Sequence, residues 1–210
     1  MNRSLPALAF ASASLAAPAL AEEATFDFQD PKGVNGVAFI ADSQLEPFVG
    51  FAHGVAGQVS FDPDAPDAFT GRISVDAQTM EVTNETMTEH MRSPGWVNAT
   101  EGARFVATFD SVEQVSTSDD GASVMQIAGT LQYGPISVDK TYTVEATLVP
   151  DGAEARGPKT ASGDLLVLRS DFTVDRTDFG IKPEMSGEAV GTQIHVMVRI
   201  TGYEADASGS

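Results

Sequence analysis

The sequence predicts an all-β fold: an antiparallel barrel of about eight strands, with one short helix inserted near residues 84–92. Three observations predict it. Apolar and polar residues alternate with a period of two along most of the chain, the signature of strands with one buried face. Clusters of Gly, Pro, Asp and Ser interrupt the alternation at intervals. One segment, TNETMTEHMRSPGW at 83–96, breaks the pattern and carries helix start and stop signals. About eight strands suit a sandwich as well as a barrel. Several runs exceed the usual five or six residues, and closure leaves no long edge to protect, which favours the barrel.

Residues 1–21 are expected to lie outside this fold. MNRSLPALAFASASLAAPALA has one cation, Arg3, then an alanine-rich apolar run, then Ala19-Leu20-Ala21. That is the layout of a cleaved secretory signal, and the run is shorter than the ~20 residues of a membrane span. One domain, 22–210, follows. Early strands are expected in TFDF, GVAFIA and GVAGQVSFD. In FTGRISVDA, Phe69, Gly71, Ile73 and Val75 share one face and Thr70, Arg72, Ser74 and Asp76 the other. Phe105, Ala107 and Phe109 align in the next run, then Met125, Ile127, Gly129, Leu131 and Tyr133. Val138, Tyr142, Val144, Ala146 and Leu148 follow, then Leu166, Leu168, Phe172 and Val174. The last run places Ile194, Val196, Val198 and Ile200 inward, opposite His195, Arg199 and Thr201. Pro63 to Pro66, Ser118 to Gly121, Gly134-Pro135 and the polar tract 150–164 mark turns, the last a long hairpin tip. In segment 83–96, Thr86 and Glu89 form a capping-box signal, and Pro94-Gly95 ends the helix. Met87, His90 and Met91 share one helical face, Arg92 points elsewhere, and Trp96 follows as a large apolar anchor. The segment reads as a plug for one barrel end.

The inward set mixes large residues (Phe61, Phe69, Phe105, Phe109, Phe172) with small ones (Gly71, Ala107, Gly129, Ala146). Such a set can fill the barrel or leave an elongated slot for one ligand, and the pattern is compatible with both. Ile73, Ile127, Leu131, Tyr142 and Leu168 complete the interior positions expected to meet a ligand.

Composition and motifs narrow the function. The net charge is −18, and loss of residues 1–21 with Arg3 takes it to −19, so nucleic acid is repelled. No cysteine is present, which removes disulfides, thiolate metal sites and cysteine nucleophiles. His53, His90 and His195 never take metal-ligand spacing, and Glu89-His90 lacks the second histidine of a zincin helix. No G-x-S-x-G elbow or phosphate loop occurs. The residues therefore give enzyme activity little support, and no metal or cofactor is expected.

The run TEHMRSPGWVNATEGARFVATFDSV resembles the signature of the YceI-like polyisoprenoid-binding proteins, an E-H-[LM]-R helix followed by an aromatic and a phenylalanine-rich strand. GVAGQVSFDPDAPDAFTGRISVDAQTM, GTLQYGPISVDKTYTVEATLV and RSDFTVDRTDFGIKPEMSGEAVGTQIHVMVRITGYEA are similar to its flanking hairpins and closing strands. The similarity spans roughly residues 24–205. It departs at Asp42, where many relatives carry histidine, and after Gly134, where the usual T-[KR] is missing. The resemblance implies an extended lipocalin-like barrel, exported to the periplasm, that holds a long apolar chain such as an isoprenoid or quinone tail. Carried over by position, Glu89, His90, Arg92 and Trp96 occupy its motif, and Phe105, Phe109 and Phe179 its aromatic positions. A second reading makes the chain an accessory protein for a membrane redox or stress-response component, without a ligand of its own. A homodimer is compatible with either.

Overall fold

A computed structural model describes residues 24–156 and 162–205. The expected signal segment, 1–21, lies outside the described residues. Eleven strands form one antiparallel sheet. They are β1 (Ala24–Asp27), β2 (Gly36–Ala41), β3 (Phe48–Ala52), β4 (Val55–Phe61), β5 (Thr70–Asp76), β6 (Glu81–Val82), β7 (Arg104–Thr117), β8 (Ser123–Tyr133), β9 (Ile136–Val149), β10 (Leu165–Asp175) and β11 (Gln193–Glu204). Eight of them close a ring in the order β1-β4-β5-β7-β8-β9-β10-β11, with β1 returning to β11. The barrel is therefore closed, as the strand lengths predict.

The strand count exceeds the sequence reading because β3 and β6 were not expected; together with β2, the expected GVAFIA strand, they lie outside that ring. β11 uses one edge twice: Ile194–Arg199 pairs with β2, and Tyr203–Glu204 with β1. At one end of the barrel a single short strand joins β11 to β4. At the other end the β2–β3 ribbon stands in that place, extended by β6. The barrel is thus narrow at one end and splayed at the other. Glycines shape the narrow side. Gly57 and Gly71, on adjacent strands, adopt φ of 135° and 138°. A Cβ on Gly71 would lie 2.3 Å from the Gln58 carbonyl oxygen, so only glycine allows the strands to coil this closely.

The splayed end is covered by α1 (Glu85–Arg92). Its cap corrects the sequence expectation. Asn84, not Thr86, is the N-cap, and its side chain accepts a hydrogen bond from the Met87 amide. Asn84 takes this role because its backbone is still extended, whereas Thr86 is already helical. Buried Thr88 ties the helix to β6, its hydroxyl bridging the Val82 amide and carbonyl. The Arg92 guanidinium donates to the Met80 carbonyl at 2.6 Å, on the side away from the Met87, His90 and Met91 face. The 150–164 tract is not a bare hairpin tip. It contains a short helix, α2 (Gly152–Arg156), with Gly152 and Ala153 buried. The remainder, 157–161, lies outside the described residues.

A polar clamp secures the narrow end. Arg156 makes a two-pronged pair with Asp30, at 2.8 and 3.1 Å, and donates to the Tyr203 hydroxyl. The Asp30 side chain is only 1% exposed. Burial alone pushes its carboxyl up, but hydrogen bonds from Arg156 and from the Lys32 and Val34 amides outweigh this and hold it below the ordinary value. A depressed pKa gives stability that is present above the unfolded-state value and lost as pH falls towards the folded one. Asp30→Asn is therefore expected to cost about 2 kcal/mol at neutral pH, shrinking below about pH 4, in denaturant titrations run at several pH values.

Candidate functional site

Inward side chains do different things at the two ends. At the narrow end Phe26, Phe28, Val59, Phe61, Phe69, Met125, Ile127 and Leu166 are all within 1% of complete burial and form a solid floor. Towards the splayed end the interior opens into a cavity of about 530 Å³. That volume sits within the 300–1,000 Å³ of small-molecule pockets. Both outcomes left open by the inward pattern are realised, one in each half.

An aromatic ladder joins floor to cavity. Phe61 meets Phe69, Phe69 meets Phe109, Phe109 meets Tyr142, and Tyr142 meets Phe172, edge to face, with ring centres 5.3–6.1 Å apart. Edge-to-face contacts of this kind fix rings beyond what apolar burial alone does. Above them Phe105 stacks on Tyr133 at 4.1 Å and meets Phe179 edge-on. The Tyr133 hydroxyl donates to the Val97 carbonyl, which ties the segment after α1 to β8.

The structure sorts the sequence candidates by depth. Ile73, Phe105, Ala107, Phe109, Leu131, Tyr142, Leu168, Phe172 and Phe179 all line the cavity. Phe61, Phe69 and Ile127 point inward as expected but belong to the solid floor, so they do not reach the cavity. Of the helix motif, His90 and Trp96 border the cavity, whereas Glu89 and Arg92 do not. Met87, His90 and Met91 share the cavity-facing side of α1, as their spacing predicts.

Trp96 corrects the reading of it as a core anchor. It is half-buried at the rim, with His90 tilted against it at 6.1 Å and the Lys182 ammonium 5.7 Å from its ring. Met91 and Val97 fill the packed role instead. Pro94-Gly95 turns the chain so that Val97 points inward and its amide bonds the Met91 carbonyl. Met91→Ala is expected to cost about 2–3 kcal/mol, Trp96→Ala less, and exposed His90→Ala under about 0.5, by chemical denaturation.

Polar groups in the deep wall are spent internally. The Tyr142 hydroxyl donates to the Thr130 carbonyl at 2.9 Å. Burial, with a smaller push from Asp110, raises its pKa, so the phenol stays protonated. Ser170 donates to the Thr143 carbonyl. Arg176, 4% exposed, directs its guanidinium at five carbonyls, those of Ile181, Lys182, Met185, Val190 and Gly191. All five of its N–H donors are used. The sequence reading passed over Arg176, although inward parity from Phe172 through Val174 runs straight to it. What remains facing the deep part of the cavity is apolar, and Glu46, Asn84, Thr86 and His90 supply the polar part of its lining. Among the described residues, no group of three or more His, Cys, Asp or Glu side chains is placed to hold a metal ion.

Comparison with known proteins supports this geometry. A comparison with curated protein sequences finds no match for the chain. Among solved structures, it is similar to Burkholderia cenocepacia BcnA, with a TM-score of 0.62 and 13% identity over 80% of this chain and 95% of that one. It is also similar to the Campylobacter jejuni YCEI protein, with a TM-score of 0.57 and 16% identity over 75% of this chain and 85% of that one. A polyisoprenoid binding domain from Saccharophagus degradans gives 0.60 and 8% identity over 88% of this chain and 100% of the domain. At such identities the likeness is one of fold. The family model for the YceI-like domain matches residues 34–202, from the loop before β2 to Gly202 near the end of β11, and so takes in the cavity wall and α1 together. A closed barrel splayed around an apolar cavity, under a match of that extent, makes this chain a member of the YceI-like family.

Proposed function

We propose that the protein binds a long-chain apolar lipid of the isoprenoid or quinone-tail type in this cavity and acts as a carrier or reservoir, without catalysing a reaction. The observation that carries the reading is the cavity wall: Phe105, Ala107, Leu131, Leu168 and Phe172 face a volume of about 530 Å³ and offer it no unspent polar group. A chain that buries roughly 500 Å² of apolar surface there gains on the order of 12 kcal/mol before costs. Ordering the chain and losing its free motion offset much of that, which leaves micromolar or tighter affinity within reach. The Saccharophagus degradans domain of similar fold, described as polyisoprenoid binding, supports the same ligand class.

The site of action is read as the periplasm, from the signal-like segment 1–21. No helix among the described residues is long and apolar enough to cross a membrane. Organic extraction of the purified protein followed by mass spectrometry tests the function. A long-chain lipid at near-stoichiometric level is expected. Protein that carries none, and takes up none from added isoprenoid alcohol or quinone, would refute the proposal and favour the accessory-protein reading.

A further inference from the structure

The mouth of the cavity constrains the head group that the lipid carries. Among the residues lining the cavity, only Glu46 and Arg176 bear a formal charge with histidine neutral. Arg176 has no free donor, because five backbone carbonyls take its five N–H groups. Glu46 is the opposite case. It sits exposed in the loop that leads into β3, and no ion pair is recorded for it among the described residues.

The neighbouring cations stand outside the cavity lining. Lys182 lies over the Trp96 ring and within 4.0 Å of Glu184, the Arg92 Nε is bonded to the Met80 carbonyl, and neither side chain lines the cavity. The outer side of α1 adds the carboxylates Glu85 and Glu89, both exposed. The whole chain carries −18. Asn84, Thr86 and His90 border the same opening and offer neutral hydrogen-bonding groups.

We infer that the mouth selects a neutral, hydrogen-bonding head group (a hydroxyl, an amide or a quinone carbonyl) and rejects a carboxylate or phosphate of the same chain length. The deep wall cannot take any polar head, since its hydroxyls and guanidinium already bond the backbone. The head therefore stays at the opening, within the field of Glu46. An anionic head there meets a like charge and finds, among the residues lining the cavity, no cation with a donor left to offset its partial desolvation. A neutral head loses nothing from the carboxylate and gains Asn84, Thr86 or His90 as partners.

The inference rests on the lipid-binding reading, and one experiment separates the two. Affinities are measured by competition against a fluorescent long-chain probe, at pH 8 and in two salt concentrations, for farnesol against farnesyl phosphate and for an 18-carbon alcohol against the matching carboxylate. Neutral ligands are expected to bind at least tenfold tighter at low salt, and the gap to narrow as salt screens the rim. Glu46→Lys is expected to reduce the alcohol-to-carboxylate ratio by threefold or more. If the anionic ligands bind as tightly as their neutral partners, the inference fails and the lipid reading stands. A preference that Glu46→Lys leaves untouched overturns the role given to Glu46 and the mouth. If no ligand of either set binds, both fall.

Discussion

Arg176→Met is expected to destabilise the protein by about 4 kcal/mol, the largest loss anticipated for one substitution here. The guanidinium is buried without an acidic partner, which would be prohibitively costly if its hydrogen bonds were not complete. They are complete, and their distribution explains why the charge is kept. Its acceptors belong to Ile181 and Lys182 on one side of the 181–191 loop, to Met185 at its turn, and to Val190 and Gly191 on the other side. One side chain thus holds both legs of the loop that leads into β11. Methionine matches the length but leaves five carbonyls without that donor, and each one kept from water costs about 1–3 kcal/mol. Some will find water at the loop surface, so the total falls well short of five full penalties. Arg176→Lys is expected to recover less than half, because an ammonium offers three donors to a cage built for five. Ile181 and Val190 line the cavity, so the methionine variant should also lose bound lipid before it unfolds. Urea melts with lipid retention measured in parallel check this. A loss below about 1 kcal/mol would mean that the loop is held by other contacts.

The same residue shows where sequence reading ran out. Period-two alternation reports which face of a strand a side chain occupies, and it did so correctly from Phe105 through Ile200. It does not report depth along the barrel axis. Phe61, Phe69 and Ile127 share their inward face with Phe105, Ala107 and Leu131, yet the first three lie in the solid floor and the others in the cavity wall. The difference arises from how β2 and β3 insert beside β11 at one end only. Two unequal pairings along one edge of β11 produce that insertion, and a strand's own sequence does not encode its partner's length. Long-range polar partners were equally hidden. Asp30 and Arg156 stand 126 positions apart, and nothing local marks them as a pair. Local chemistry was more legible. The helix was expected near 84–92 from its spacing and stop signal, and only its cap moved, because Asn84 and Thr86 both suit the role and the backbone chose between them.

Ala107→Trp is expected to abolish lipid binding, by at least tenfold in affinity, and to leave the melting temperature within a few degrees. The argument turns on volume at a defined place. Ala107 lies on β7 between Ile73 of β5 and Leu131 of β8, and all three face the cavity. Phe105 and Phe109 flank it along the strand on the same side, so its small side chain leaves room between two rings. An indole there projects into open space, not into packed atoms, and it replaces the apolar contacts that a bound chain would make. In a filled barrel the same change forces strained rotamers and backbone shifts at about 1–3 kcal/mol. A control sits two rungs deeper. Ile127 is fully buried in the solid floor, so Ile127→Trp is expected to overpack and destabilise by that amount or more. The pair therefore reads the barrel's hollow and solid halves separately, by thermal denaturation alongside extraction of bound lipid. If Ala107→Trp lowers stability as much as Ile127→Trp, the cavity collapses in solution and the binding reading loses its physical basis. If the variant keeps both its stability and its lipid, the chain occupies some other surface, and Ala107 faces a space that the ligand does not use.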